Sequence, residues 1–334
     1  MKQKINYISF ILGILLITAA CEKNVDIDID EIEPMIVMNG LLQTDSTVQI
    51  YLSRTRHILD NVQLSSLGGA TVEISGPDGN PVSLVYGKDQ LYRTDQIKIE
   101  AGKEYTVTAS ADGFNSVSAV STMPKKVNIR KIDTLSVRNE WGEKQISFDI
   151  LIEDPPDETN YYMLSLKARI PVKYIDIIER IDTLYVDPVK DTVILGYVYD
   201  TLEYFIPRID NIYVESEDLA VEQNDYFSNR IIFSDKLFDG KTYSFNGSFY
   251  DWFLWEAGDS ATVYISLQSV DEHYYKYIDS RADHYYAKND PFAVPVVVHN
   301  NIENGIGILG GATANVDSLK IAPKRNPWDY YYID

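Results

Sequence analysis

The sequence is poor in the residues that usually announce crosslinks or chemistry. Cysteine occurs once, at Cys21, so there can be no intramolecular disulfide and the fold must rest on its hydrophobic core. Histidine occurs four times, at His57, His273, His284 and His299. His57 and His299 lie far off in sequence with no cysteine or carboxylate at ligand spacing, which argues against a zinc site. On one continuous helix His273 and His284 would lie about 16 Å apart along the axis, too far for a single ion to bridge. Positive charge is also scarce: 30 Lys and Arg face 50 Asp and Glu, for a net charge of −20. Such a surface repels phosphate backbones, so nucleic acid is a poor partner. No GxxxxGK[ST] loop, no GxGxxG in a strand-to-helix setting, no GxSxG elbow and no HExxH pair is present, which leaves no cofactor and no catalytic constellation to nominate. At this charge carboxylate pairs occur throughout and cannot by themselves nominate a glycosidase. The expectation is a chain that is not an enzyme.

Long apolar runs are missing too. The best, Phe10 to Ile17, is far shorter than the roughly 20 residues that span a bilayer. Lys2 and Lys4 precede it, and Ala19 and Ala20 lead to Cys21, the layout of a secretory signal whose cleavage leaves an acylated cysteine. Thr18 stands where such lipoprotein signals usually carry a larger aliphatic residue. Residues 1–20 are therefore read as a lipoprotein signal peptide and Cys21 as the lipidation site. Several acyl chains, at about 0.8 kcal/mol per buried CH₂, would hold the protein on a membrane. Cleavage removes two lysines and no acid, taking the net charge from −20 to −22, so the lipid rather than charge must supply attachment to an anionic surface.

Residues 21–34 form an acidic tether. Asp26, Asp28 and Asp30 open like a calcium loop, but Glu31 occupies the position that needs Gly and Val37 the position that needs Glu. Glu22, Asp26, Asp28 and Asp30 remain either a solvated spacer or an export signal towards the cell surface.

Residues 35–123 read as a β-sandwich domain. Met35–Leu42, Val48–Ser53, Ala70–Ser75, Val82–Tyr86, Tyr105–Ala111 and Val117–Ser121 are short runs with a two-residue period, Val48, Ile50 and Leu52 inward against Gln49, Tyr51 and Ser53. Gly76 to Pro81 supplies the turn chemistry between two of them. The pattern fits an immunoglobulin-like or transthyretin-like sandwich. After Met123-Pro-Lys-Lys126 a second β-rich domain is expected over 124–334, with strands Tyr161–Ile170, Ile181–Val186 and Val193–Tyr204 among others. A hairpin over about 167–207, with Asp187-Pro188 near its tip, projects from it. One helix is predicted at about 270–284: Ser269 and Glu272 have capping-box spacing, and Tyr274, Tyr277, Ile278 and Arg281 share one stripe facing the sheet.

Aromatic residues are plentiful. Tyrosine, at 25, outnumbers 11 Phe and 4 Trp together, a composition that suits strands before it suits any ligand. The densest cluster is Phe245, Phe249, Tyr250, Trp252, Phe253 and Trp255. It is either core or, through Tyr250, Trp252, Phe253 and Trp255, a surface for a glycan, a peptide or a protein partner.

Several phrases together resemble a known family. Cys21-Glu-Lys-Asn-Val-Asp-Ile-Asp28, Val37-Met-Asn-Gly40, Gly69-Ala-Thr-Val-Glu-Ile74, Asn160-Tyr-Tyr162 and Leu237-Phe-Asp-Gly-Lys-Thr-Tyr243 carry the first part of the likeness. Ser269-Val-Asp-Glu-His-Tyr-Tyr-Lys-Tyr277 and Asp290-Pro-Phe with Asn301-Ile-Glu-Asn-Gly-Ile-Gly-Ile-Leu-Gly310 are its most specific elements. The chain is similar to the Bacteroidota outer-membrane lipoproteins grouped as domain of unknown function 4249. Val294 and His299 depart from the pattern in the closing loop. The resemblance implies an outer-membrane lipoprotein, commonly encoded near a TonB-dependent outer-membrane receptor, which is the expected partner; the acidic residues after Cys21 favour the cell-surface face over the periplasmic one. It carries no catalytic residue. The expected function is a non-enzymatic accessory of such a transporter or of another outer-membrane complex, in substrate capture or assembly; the alternative is a stand-alone glycan- or peptide-binding lipoprotein.

Overall fold

The computed structural model describes residues 33–57, 65–138, 142, 144–186, 191–225, 229–250, 260–288, 290 and 292–321. Strands in chain order are β1 (Ile36–Gln43), β2 (Val48–Arg54), β3 (Thr71–Ser75), β4 (Pro81–Ser83), β5 (Val85–Tyr86), β6 (Tyr92–Thr94), β7 (Glu104–Ser110) and β8 (Val117–Thr122). Then come β9 (Ile129–Arg138), β10 (Lys144–Glu153), β11 (Tyr161–Val186), β12 (Asp191–Ile212), β13 (Val221–Asp225) and β14 (Arg230–Ser234). A 3₁₀ turn at Asp235–Leu237 leads to β15 (Thr242–Tyr250) and β16 (Ala261–Val270), followed by the helix α1 (Glu272–Lys288) and the last strand, β17 (Ile306–Ile321). The protein is mainly β with one described helix late in the chain.

The two-residue period is visible in burial. Val48, Ile50 and Leu52 are buried while Gln49 is exposed, and Val72 and Ile74 are buried between the more open Thr71, Glu73 and Ser75. Each strand therefore offers one apolar face, which needs a second layer.

That layer is arranged around one long sheet. Its order is β13-β14-β11-β16-β17-β1-β2-β6-β5, with β12 also paired to β11. Every pairing in it is antiparallel except β1 with β17, where Val37 lies against Ile306 and Gln43 against Ala312. A four-stranded sheet, β4-β3-β7-β8, covers one half, and a three-stranded sheet, β15-β10-β9, covers the other. Each half encloses its own core. One holds Met38, Leu42, Ile50, Val107 and Leu309; the other holds Phe148, Leu164, Phe233, Phe245 and Phe249. The crossing between the two covering sheets runs through Met123 to Asn128, while the long sheet continues beneath both.

On the opposite face of the long sheet lies α1. A third, smaller core forms there from Met163, Ile232, Val270, Tyr275, Ile278 and Ile308. The buried helix residues are Tyr274, Tyr275, Ile278 and Ala282. Arg281, placed on the buried stripe by its spacing from Tyr277 and Ile278, is instead exposed, and its guanidinium stands 5.9 Å from the Tyr277 ring centroid. The stripe turns by one position: Tyr275 packs on Tyr161 of β11, with ring centroids 4.6 Å apart, while Tyr274 sits over Gly310 of β17.

The cap also differs from the sequence expectation. Ser269 is still in β16, paired with Thr313. Asp271 is the N-cap: its Oδ1 accepts from Tyr274 N–H at 2.8 Å and its carbonyl accepts from Tyr275 N–H at 3.0 Å. The ladder with β17 extends one residue too far for Ser269 to be free, so the carboxylate two residues later takes the role. Glu272 turns outward to Lys276 at 2.6 Å.

Candidate functional site

The most unusual feature of the fold is the ribbon formed by β11 and β12. Their pairing runs from Leu166 against Ile212 to Val186 against Asp191, and Tyr161–Ile170 and Ile181–Val186, read from sequence as separate strands, are one strand, β11. Asp187 and Pro188 lie outside the described residues. The neighbouring strand β16 stops pairing with β11 at Arg169. Two residues further on, Pro171 sits directly opposite Pro207. Opposed prolines fit at a non-hydrogen-bonded pair, where both nitrogens face the outer edges; each then removes a donor that a further strand would need. Beyond this point the ribbon has, among the described residues, two strands and two unpaired edges.

Side chains on both of its faces are apolar and open. On the face that continues the buried side of β11 are Tyr174, Ile178, Leu202 and Ile206; on the other are Ile175, Ile177, Phe205 and Ile209, the most open being Ile177 at 70 %. Tyr174 and Tyr204 stack across the strands at 5.8 Å, and Lys173 pairs with Glu203 at 2.8 Å. A two-stranded ribbon with no layer on either face among the described residues gains little from burial, and a contiguous apolar surface of this kind marks interaction sites in soluble proteins.

Other residues singled out from sequence have varied fates. Cys21, Glu22, Asp26, Asp28 and Asp30 lie outside the described residues, as do Trp252, Phe253 and Trp255. Within the same aromatic cluster Phe245 and Phe249 are core, Phe245 packing on Phe233 at 4.8 Å and Phe249 on Phe148 at 6.1 Å. Tyr250 is half-buried at the end of β15, opposite Gln145. Gly305, Gly307 and Gly310 have the spacing of a dinucleotide loop, but they lie at the start of β17, which runs on as strand and presents no helix N-terminus.

The fold joins His273 to His299, a pair that sequence distance conceals. His273 Nδ1 lies 3.0 Å from His299 Nε2, and the rings are 14° from parallel with centroids 5.3 Å apart. They meet end to end in one plane, as an N–H···N hydrogen bond requires. A metal would need both lone pairs to converge on a point off that line. Burial and the neighbouring His273 lower the pKa of His299 from its ordinary value. His284 is separate, with Nδ1 2.8 Å from the Val296 carbonyl.

Carboxylates also cluster. Oxygens of Asp154, Asp235 and Asp239 lie within 4.8 Å of one another. Asp154 accepts from the Tyr162 hydroxyl and from Gly240 N–H at 2.8 Å, and Asp235 accepts from Asn160 N–H at 2.7 Å. Burial raises the Asp154 pKa above the usual carboxylate range, with the charges of Asp235 and Asp239 adding to it. These donors already occupy the buried oxygens, so the group acts as a staple between the 154–160 loop and the turn at 235–240.

Among the described residues no helix is long and apolar enough to cross a membrane. A family model described as domain of unknown function (DUF4249) matches residues 22–317. No curated protein matches the sequence.

Proposed function

The chain belongs to the DUF4249 family, and from that premise we propose that it is a lipid-anchored outer-membrane protein that docks, without catalysis of its own, on a TonB-dependent transporter or another outer-membrane complex. The observation that carries this reading is the β11–β12 ribbon. Beyond Arg169, β11 continues to Val186, which at about 3.3 Å per residue reaches roughly 55 Å. Its exposed Ile175, Ile177 and Phe205 would bury on a partner, and its unpaired edges offer backbone donors and acceptors to a strand-rich one. An integral β-barrel is the partner that an acyl anchor at Cys21 would bring alongside.

Crosslinking in native membranes followed by affinity purification in mild detergent tests this. The wild-type chain should recover a β-barrel protein, and Ile175→Lys with Ile177→Lys should lose it while leaving the melting temperature unchanged, because both side chains are exposed. Recovery of the wild type alone would overturn the docking role. The anchor is tested separately: Cys21→Ser should move the protein from the membrane to the soluble fraction, and a variant that stays with the membrane would refute acylation.

A further inference from the structure

We propose that a groove between β1, β2 and α1 binds a neutral oligosaccharide. The groove is remote in sequence from the ribbon, and the proposal does not depend on the docking role. Its floor is the side of β1 and β2 turned away from the core. Met38 and Leu42 point into that core, so Asn39 and Gln43 point out of it; Asn39 is flanked by Tyr51 on β2 and Ile308 on β17. One wall is the first turns of α1, which present Tyr274 and Tyr277. A Cβ at Gly310 would lie 2.6 Å from that of Tyr274, so only glycine there lets the wall sit down on the sheet. The cavity is about 420 Å³, within the usual size of small-ligand sites.

Its chemistry selects the ligand class. Of the twelve described residues that line it none is charged, in a chain of which 24 % is Asp, Glu, Lys or Arg. The cations beside its walls are already engaged: Arg93 pairs with Asp89, Arg281 lies over the Tyr277 ring and Arg230 lies 3.5 Å from the Tyr274 hydroxyl. With no charged side chain among the described lining residues to pair with a phosphate, a carboxylate or an amine, a charged ligand would be desolvated with little compensation. What the groove offers instead is amides and rings. Asn39, Gln43 and Gln49 each donate and accept, and among the described residues their side chains and the Tyr51 hydroxyl make no hydrogen bond to protein. Hydroxyl groups need that dual capacity, and the C–H faces of pyranose rings match the tyrosine rings. A neutral peptide fits less well. Both edges of β1 are already paired, with β17 and β2, so no backbone ladder is open to it there.

The full chain in mild detergent, applied to an array of neutral glucans, mannans and galactans, sialylated and sulfated glycans, and uncharged decapeptides, tests the assignment. Retention on at least one neutral glycan and not on the acidic glycans or peptides is expected. Titration with that glycan should show binding about tenfold weaker or worse in Gln49→Ala with Tyr51→Ala, the loss of one stacking face and one amide. If that pair lowers the melting temperature, Asn39→Asp keeps the volume, places a charge on the floor and should weaken binding as strongly. No retained neutral glycan, equal retention of acidic glycans or peptides, or undiminished binding by the variants each overturns the proposal.

Discussion

Asp271→Ala will lower the unfolding free energy by about 3–5 kcal/mol, the combined effect of a lost helix cap and of buried donors left unpaired. Asp271 is buried at 8 % exposure and its two oxygens serve three elements. Oδ1 caps α1 through Tyr274 N–H. Oδ2 accepts from the Ser121 hydroxyl on β8 at 2.6 Å and from Gly311 N–H on β17 at 2.9 Å. Alanine would orphan two backbone N–H groups and a hydroxyl at the point where the first core, the long sheet and the helix meet. Denaturant unfolding measures the loss, and a change below about 1 kcal/mol, the size of an exposed cap, would show that water replaces the carboxylate freely.

The same carboxyl has a pH signature. Burial raises its pKa above the usual carboxylate range, against the opposing effect of its hydrogen bonds from Ser121, Tyr274 and Gly311. A folded-state value above the unfolded one means that the stability tied to this proton is full below the unfolded pKa of about 3.9 and is lost as pH rises through the folded value. Asp271→Asn has no such equilibrium. As pH rises from about 4 the wild type should lose stability relative to that variant; a flat or rising difference would contradict the assignment.

The second large effect is expected at Gly307. Its φ is +131°, and a Cβ there would overlap the carbonyl oxygen of Met38, its direct partner in the parallel ladder. Gly307→Ala has no side-chain rotamer to move and must part β1 from β17, the pairing that carries the long sheet from one half to the other. The cost should be about 4 kcal/mol or more, or loss of cooperative unfolding. Gly113→Ala is the control, since Gly113 has a φ of +83° but nothing within 4 Å of its Cβ. It should cost only about 1 kcal/mol through backbone strain, and equal losses in the two variants would place the effect of Gly307 in strain alone.

Residues in strands β1, β2, β3, β7 and β8 could be assigned from their period because each buries one face locally, and the Gly76–Pro81 turn could be assigned because proline and glycine dictate backbone angles by themselves. The ribbon was legible only in part. A projecting hairpin followed from the strand pattern, but its continuity through Pro171 did not, because a proline tolerated at an unpaired edge looks the same in sequence as one that ends a strand. The Ser269-to-Glu272 spacing pointed to the helix start but to the wrong cap. Which polar residue caps depends on where the β16–β17 ladder ends, and that is set by a strand about forty residues later.

Composition, charge and local period together determined that the chain is mainly β, that it has no disulfide to lean on, and that a helix lies late in it. They act over a few residues, where side-chain spacing alone chooses between strand and helix. Tertiary structure decided the rest. It set Val37 against Ile306, His273 against His299, and the amides of β1 beneath the tyrosines of α1, contacts between segments more than twenty residues apart. Such contacts depend on which apolar faces find each other during folding, a choice made by the whole core and not written in any one stretch of the chain.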